Sequence, residues 1–217
     1  YKNNDGNTPL HRGARSGSAA SNLKLLVEAG ADLNIKNNDG ETPLDISMKK
    51  GKPENFKAIL DSGLSTGADV FKPKIDGNTL LHLAARSNRS RNTQITLHLL
   101  KAGAAVVAKN NNAQTPLHVA STYIAAKNIR YLIKFDADVD AQDSNGNTGL
   151  HLIGQNISQR SKTTAAVISK SIMHLLDAEA DLKIVNHDGK IAWDYIKKND
   201  RIKGTKAYRS LQKVHAN

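Results

Sequence analysis

The chain has 217 residues, 39% hydrophobic but only 4% aromatic, so a sizeable core is possible and must be aliphatic. Cysteine is absent, which excludes disulfides, thiol nucleophiles and cysteine-ligated zinc, and fits a cytosolic setting. Lys and Arg number 31 against 20 Asp and Glu, and the resulting +11 favours an acidic partner without bearing on fold.

No apolar run approaches the roughly 20 residues that a bilayer span needs. No signal peptide opens the chain. It begins with Tyr1 rather than Met, so it is expected to be a trimmed segment, which leaves room for domains upstream or downstream.

Taken in chain order, the text repeats itself. DGNTPLH runs from Asp5 to His11, ETPLD from Glu41 to Asp45, and DGNTLLH from Asp76 to His82. NAQTPLH fills 112–118, GNTGLH fills 146–151, and DGKIAWD fills 188–194. Thr8, Thr42, Thr79, Thr115, Thr148 and Ile191 share one slot, at successive separations of 34, 37, 36, 33 and 43 residues. Each Thr reads as a helix start whose hydroxyl caps free N–H groups. Pro9, Pro43 and Pro116 follow at the first helical position, where a missing N–H costs nothing.

The second half of each unit carries an apolar pair: Leu26-Val27, Ile59-Leu60, Leu99-Leu100, Leu132-Ile133 and Leu175-Leu176. A turn follows, starting at Gly30, Gly67, Gly103, Asp136 and Glu179, each 12 residues before the next Thr slot. These glycines read as left-handed helix ends. Asp-Gly or Asn-Gly at 5–6, 39–40, 76–77, 145–146 and 188–189 supplies the tight turn of a projecting finger.

A T-P-L-H start at a period near 33 resembles the ankyrin-repeat family over about residues 1–200. The resemblance implies an all-α ankyrin-repeat solenoid with hairpin fingers. It divides the chain into repeats at about 5–37, 39–74, 76–110, 112–143 and 145–186, with a divergent C-terminal cap at 188–217. A short helix near Thr205 to Val214 is expected to finish the cap. Arg12 sits where Ile46, Leu83, Val119 and Leu152 stand in other repeats, which fits either a face turned to a further repeat or an N-terminal cap.

Extra residues fall at three places. Four lie after the second helix of repeat 2 (Gly63 to Thr66), three near Ser87 to Thr93, and ten within Asn156 to Ser169. Insertions in stacked repeats map to loops. Ser158 to Thr164 is polar without apolar period and is expected to be mobile and dispensable to the fold.

His11, His82, His118 and His151 share one slot, with Asp45 and Asp194 in the other repeats. Neighbouring helices lie 8–10 Å apart, too far for same-slot side chains to share a zinc at 2.0–2.1 Å. The reading is structural: buried side chains bonding nearby backbone. No phosphate-binding loop, zinc-protease motif or nucleophile elbow is present. The expectation is therefore a chain without catalysis, metal or cofactor.

The resemblance places partner contacts on finger tips and on the exposed ends of the first helices. Carried over by slot, these are Asn7, Glu41, Asn78 and Gln114 on the fingers. At the helix ends they are Arg15, Lys49, Lys50, Arg86, Tyr123, Gln155 and Asn156. The face is expected to be basic toward the N-terminal half and neutral beyond it. The implied function is a monomeric protein–protein interaction scaffold for an acidic or polar protein. The rival is a binder of nucleic acid or anionic membrane, drawn from the acid-free run Gly77 to Phe135 and the basic tail. Aromatics are too sparse among these cations to form a stacking platform for bases. The Lys/Asn-rich, cysteine-free text is also similar to ankyrin-repeat effectors that intracellular bacteria deliver to a host cytosol.

Overall fold

The computed structural model describes residues 1–16, 20–66, 70–74, 76–87 and 89–216. Gly67, expected to end a second helix, lies outside the described residues, as does Asn88 in the repeat 3 insertion. The helices are α1 (Pro9–Arg15), α2 (Ala20–Glu28), α3 (Pro43–Lys49), α4 (Pro53–Ser65), α5 (Leu80–Ala85) and α6 (Ser90–Lys101). They continue with α7 (Pro116–Thr122), α8 (Ala126–Lys134), α9 (Gly149–Asn156), α10 (Ala165–Leu176), α11 (Ala192–Ile196) and α12 (Lys206–His215). A 3-10 turn spans Asp200–Ile202. Among the described residues there is no strand, only an isolated bridge between Val185 and Ile191. The fold class is all-α, as the repeat text implies.

Two compact units result: Tyr1–Pro73 with Arg89–Ala104, and Lys74–Asn88 with Ala105–Asn217. In the first, α1 packs on α3, α2 on α4, and α4 on α6. In the second, α5, α7, α9 and α11 form one row, and α8, α10 and α12 another. The core is aliphatic. Leu10, Leu23, Ile59 and Leu60 are fully buried in the first unit, and Leu81, Ile129, Leu132 and Ile172 in the second. Each such side chain contributes about 1.5–3 kcal/mol on leaving water.

The helix starts follow from the Thr slot. Thr8, Thr42 and Thr79 are extended N-caps whose hydroxyls accept the N–H of the residue three positions on. The residue at that third position answers by taking the Thr N–H. In four repeats it is His, through Nδ1 at 3.1–3.3 Å. In repeat 2 it is Asp45, through a carboxylate oxygen at 2.9 Å. Asp194 does the same for Ile191 at 3.2 Å, where no hydroxyl is available.

Histidine adds a bond that aspartate cannot. With Nδ1 accepting, Nε2 carries the proton and donates to a carbonyl of the next finger. The acceptors are Glu41 for His11 (3.0 Å), Gln114 for His82 (2.8 Å), Asn147 for His118 (3.0 Å) and Lys190 for His151 (3.0 Å). Both ring nitrogens are therefore occupied in all four. Burial holds His82, His118 and His151 below the ordinary histidine pKa of 6.5.

Six fingers share one geometry. The first residue donates to the carbonyl four on, and the fourth donates back, as in Asn3/Asn7/Gly6 and Asp143/Asn147/Gly146. Gly77 shows why the turn needs glycine. Its φ is +75°, and an added Cβ would come within 2.8 Å of the Asn111 backbone nitrogen in the next finger. At the ends of the second helices, Gly30 and Gly103 have φ of 86° and 85°. Asp136 (φ 64°) and Glu179 (φ 60°) hold the same conformation without glycine, at about 1–2 kcal/mol each.

The insertions depart from simple loops. The extra residues of repeat 2 do not follow its second helix. They lengthen it, and α4 runs to Ser65 because Ser62 and Gly63 still face the core. In repeat 3, Ser90 to Thr93 is likewise already helical. The repeat 5 insertion is a loop, but a tethered one. Ile157 is fully buried. Arg201, from the 3-10 turn, donates to the carbonyls of Ile157, Arg160, Ser161 and Thr163. The loop expected to be free is instead held at these four carbonyls. The source of these contacts lies 38–44 residues downstream, beyond any local pattern.

Glu179→Gly should raise the melting temperature, because the left-handed strain is relieved by more than glycine's unfolded-state freedom costs, a net gain of under about 1 kcal/mol. Calorimetry showing a lower midpoint would contradict this account of the turn. His118→Ala should destabilise by about 1–3 kcal/mol near pH 7, through the unpaired Thr115 N–H and Asn147 carbonyl. His82, His118 and His151 also set a pH dependence. Their folded pKa values are depressed, so their contribution is complete above about pH 6.5 and is lost as pH falls toward the lowered values. A melting series from pH 7 to pH 5 should descend, and less steeply in His118→Ala. An equally steep descent in the mutant would exclude His118 as a source.

Candidate partner-binding surface

The finger-slot side chains expected to meet a partner turn out to be partly occupied by the protein itself. Asn7 Oδ1 accepts from Asn37 Nδ2 at 3.0 Å, and Asn78 Oδ1 from Asn110 Nδ2 at 3.0 Å. Asn147 Oδ1 takes both Asn186 Nδ2 (2.9 Å) and Gln155 Nε2 (3.0 Å). Gln114 Oε1 lies 3.4 Å from Asn110 Nδ2, and Asn156 Nδ2 donates to the Leu152 carbonyl at 2.8 Å. Asn147 is buried and Asn7, Asn78, Gln114 and Asn156 are half-buried, and they join one finger to the next or close their own helix. The slot alone did not reveal this, because the partner asparagine sits roughly a full repeat away.

In the first unit, Arg15 ends α1, Lys49 ends α3, and Lys50 caps α3. All three are exposed. Lys49 Nζ donates to Glu41 Oε1 at 2.6 Å, which holds the Lys49 ammonium above its ordinary pKa. Two expected contact residues thus pair with each other. Arg15, Lys49 and Lys50 share a groove of about 390 Å³ with Asp5, Asp39 and Glu41. The N-terminal half, expected to be basic, carries both signs of charge in this groove. The Asp-Gly finger turns bring their carboxylates beside the helix ends.

In the second unit, Arg86 caps α5 and Tyr123 caps α7. Arg86 donates to Tyr123 Oη through Nη2 at 2.7 Å and Nε at 3.2 Å. This bond pulls the phenol below its usual pKa. A second guanidinium, Arg160, lies 4.2 Å from the Tyr123 ring centroid and donates through Nε to the Thr122 carbonyl at 3.3 Å. Arg160 belongs to the repeat 5 insertion, so no repeat slot pointed to it. Arg86, counted with the basic N-terminal half, is thus joined by Arg160 at a tyrosine of the half expected to be neutral. A groove of about 570 Å³ runs past Arg86 and Tyr123, with Asp76, Asn78 and Gln114 on its walls. The Asp76 carboxylate is already engaged by Asn78, which lowers its pKa.

Two further asparagines do structural work at these helix ends. Asn55 donates to the carbonyls of Gly13 and Ser16, and Asn128 to those of Ala84, Ala85 and Ser87. Both stand four residues before an apolar pair, a shared position that was readable in the text. Among the described residues no cluster of three His, Asp or Glu could hold a metal ion. No described helix is long and apolar enough to cross a membrane.

Comparison with known proteins agrees with this architecture. Models of multiple ankyrin repeats match residues 1–47 and, in overlapping stretches, 64–143 and 81–186. Inversin of Canis lupus familiaris is 39% identical over 93 residues, 42% of this chain and 8% of its own length. NF-kappa-B inhibitor alpha of Gallus gallus is 37% identical over 90 residues, 40% of this chain and 27% of its own. Protein glp-1 of Caenorhabditis elegans is 30% identical over 158 residues, 70% of this chain and 12% of its own. The chain thus spans about a quarter or less of these relatives. Among solved structures, the ankyrin repeat domain of Bcl-3 superposes with a TM-score of 0.74 at 22% identity, covering 98% of this chain and 85% of that one. An ankyrin repeat domain from Acinetobacter baumannii AYE gives 0.73 at 18% identity, covering 95% of each. Ankyrin repeats are protein–protein interaction modules, and on the repeat text, the shared cap and finger geometry and these matches, this chain belongs to the ankyrin-repeat family.

Proposed function

We propose that this chain is a non-catalytic scaffold that binds a protein partner through the ends of its first helices and the neighbouring fingers. The observation that carries the reading is where the polar groups are used. The recurring histidines are consumed by caps and finger carbonyls, whereas Arg15, Lys50 and Arg86 stand exposed beside open grooves. Such side chains steer and orient an acidic partner more than they stabilise the fold. With no cysteine in the chain, a reducing cytosol is the compartment this reading assigns, a host cell's if the source is an intracellular bacterium.

Arg15→Glu, Lys50→Glu and Arg86→Glu together should weaken partner binding at least tenfold, about 1.4 kcal/mol. The partner is first captured on immobilised protein and identified, and its affinity is then measured by calorimetry. Circular dichroism and the melting temperature should barely move, since exposed substitutions of this kind cost little. Lys206→Glu with Arg209→Glu, in the basic tail, should have a smaller effect. If the tail variant loses binding while the helix-end variant keeps it, and affinity collapses with salt, the nucleic-acid or membrane reading takes over.

A further inference from the structure

The cluster around Tyr123 in the second unit is rich in donors and poor in acceptors. Arg86 uses Nε and Nη2 on the phenol oxygen. Arg160 uses Nε on a backbone carbonyl. Among the described residues neither guanidinium is paired with a carboxylate, and Tyr123 Oη accepts twice while its own proton meets no acceptor. Two full positive charges and a phenolic proton are thus gathered at one half-buried side chain. The single carboxylate of the adjoining groove, Asp76, is held by Asn78.

The cluster is also built rigidly. Ile124, directly after Tyr123, is fully buried and has φ of 51°. A β-branched residue in the left-handed region is strained and persists only where its surroundings force it. The matching position of repeat 2 is Gly51, with φ of 61°. Arg160 is presented by a loop that Arg201 fastens through four carbonyls.

We propose that Arg86, Tyr123 and Arg160 form a receptor for a phosphomonoester side chain on the partner protein. The assignment rests on the scaffold reading above and names the chemistry that one part of its surface takes. A phosphorylated side chain carries about −1.5 to −2 charge and three acceptor oxygens at pH 7, enough to face both guanidiniums and the phenol. An aspartate or glutamate offers one charge and two oxygens, which a single guanidinium satisfies. A nucleic-acid phosphodiester likewise carries one charge per phosphate. The Tyr123 ring, stacked under Arg160, is not offered to a base.

The test uses the whole chain and small probes, so no partner is needed. Side-chain Nε–H resonances of Arg86 and Arg160 are followed by NMR at pH 7.5 during titration with acetyl-phosphoserine amide, acetyl-aspartate amide and dimethyl phosphate. The phosphoserine probe should shift both resonances with a Kd of about 1 mM. It should bind several-fold more weakly at pH 5, where the monoester has lost its second charge (pKa about 6). The aspartate and diester probes should bind at least tenfold more weakly. Arg160→Gln should weaken the phosphoserine probe at least tenfold, and Tyr123→Phe, which keeps the ring and removes only the hydroxyl, about threefold. Arg201→Ala, which frees the loop while leaving all three groups in place, should weaken it also. Absence of any shift at about 50 mM probe, or parental affinity in Arg160→Gln, would overturn the site. Equal binding of the aspartate probe would make it a carboxylate receptor, and equal binding of the diester would point to nucleic acid, both against the proposal. A negative result here leaves the helix-end scaffold standing on its own partner-binding measurement.

Discussion

The bond from histidine Nε2 to the next finger's carbonyl is the interaction on which the rest of this architecture depends. A single repeat cannot bury its own apolar face, and stacking neighbours solves that problem only if the register is fixed. Hydrophobic contact is not directional. The imidazole supplies the direction, because one nitrogen is committed to its own helix start and the other must point forward. The distance from Thr slot to His is constant at three residues, so every such bond lands on the residue just before the next Thr slot. Finger and helix are thereby set together in one step.

The same constraint shapes the surface. Once the fingers are locked to the preceding histidines, their asparagines fall within reach of one another, and Asn37–Asn7, Asn110–Asn78 and Asn186–Asn147 form. Positions that a repeat template offers to a partner are then partly used for cohesion. What remains outward-facing is carried by the helix ends. In the first unit, finger carboxylates offset that charge, as Glu41 does for Lys49. In the second it is reinforced, because a long insertion delivers Arg160 to Tyr123.

Departures from the repeat concentrate where the surface is unusual. The glycine-free left-handed turns at Asp136 and Glu179 are ordinary costs at solvent-facing helix ends. Ile124 differs: it is buried, β-branched and adjacent to the arginine-flanked tyrosine. Local strain beside a rigidly supported side chain is a pattern of sites that must hold their geometry.

The recurring T-P-L-H text carried the resemblance to the family, which implied the all-α class, and the repeat spacing made legible the Thr caps, the prolines at the first helical position and the structural character of the histidines. All of these depend on separations of a few residues that recur every 33 or so, which is the range in which a linear text carries physical information. The strain at Glu179 was legible for the same reason, since one slot holds Gly in some repeats and Glu in another. The tertiary structure alone decided which surface groups are free. Lys49 and Glu41 are eight residues apart, Arg86 and Tyr123 are 37 apart, and Arg201 and its loop are about 40 apart. Each meeting depends on how a helix end, a finger or an insertion is aimed after the repeats have stacked. Charge counted along the chain therefore put Arg15, Lys49, Lys50 and Arg86 in one basic stripe, whereas charge counted in space finds carboxylates around the first three and a second guanidinium, Arg160, at the tyrosine that Arg86 meets.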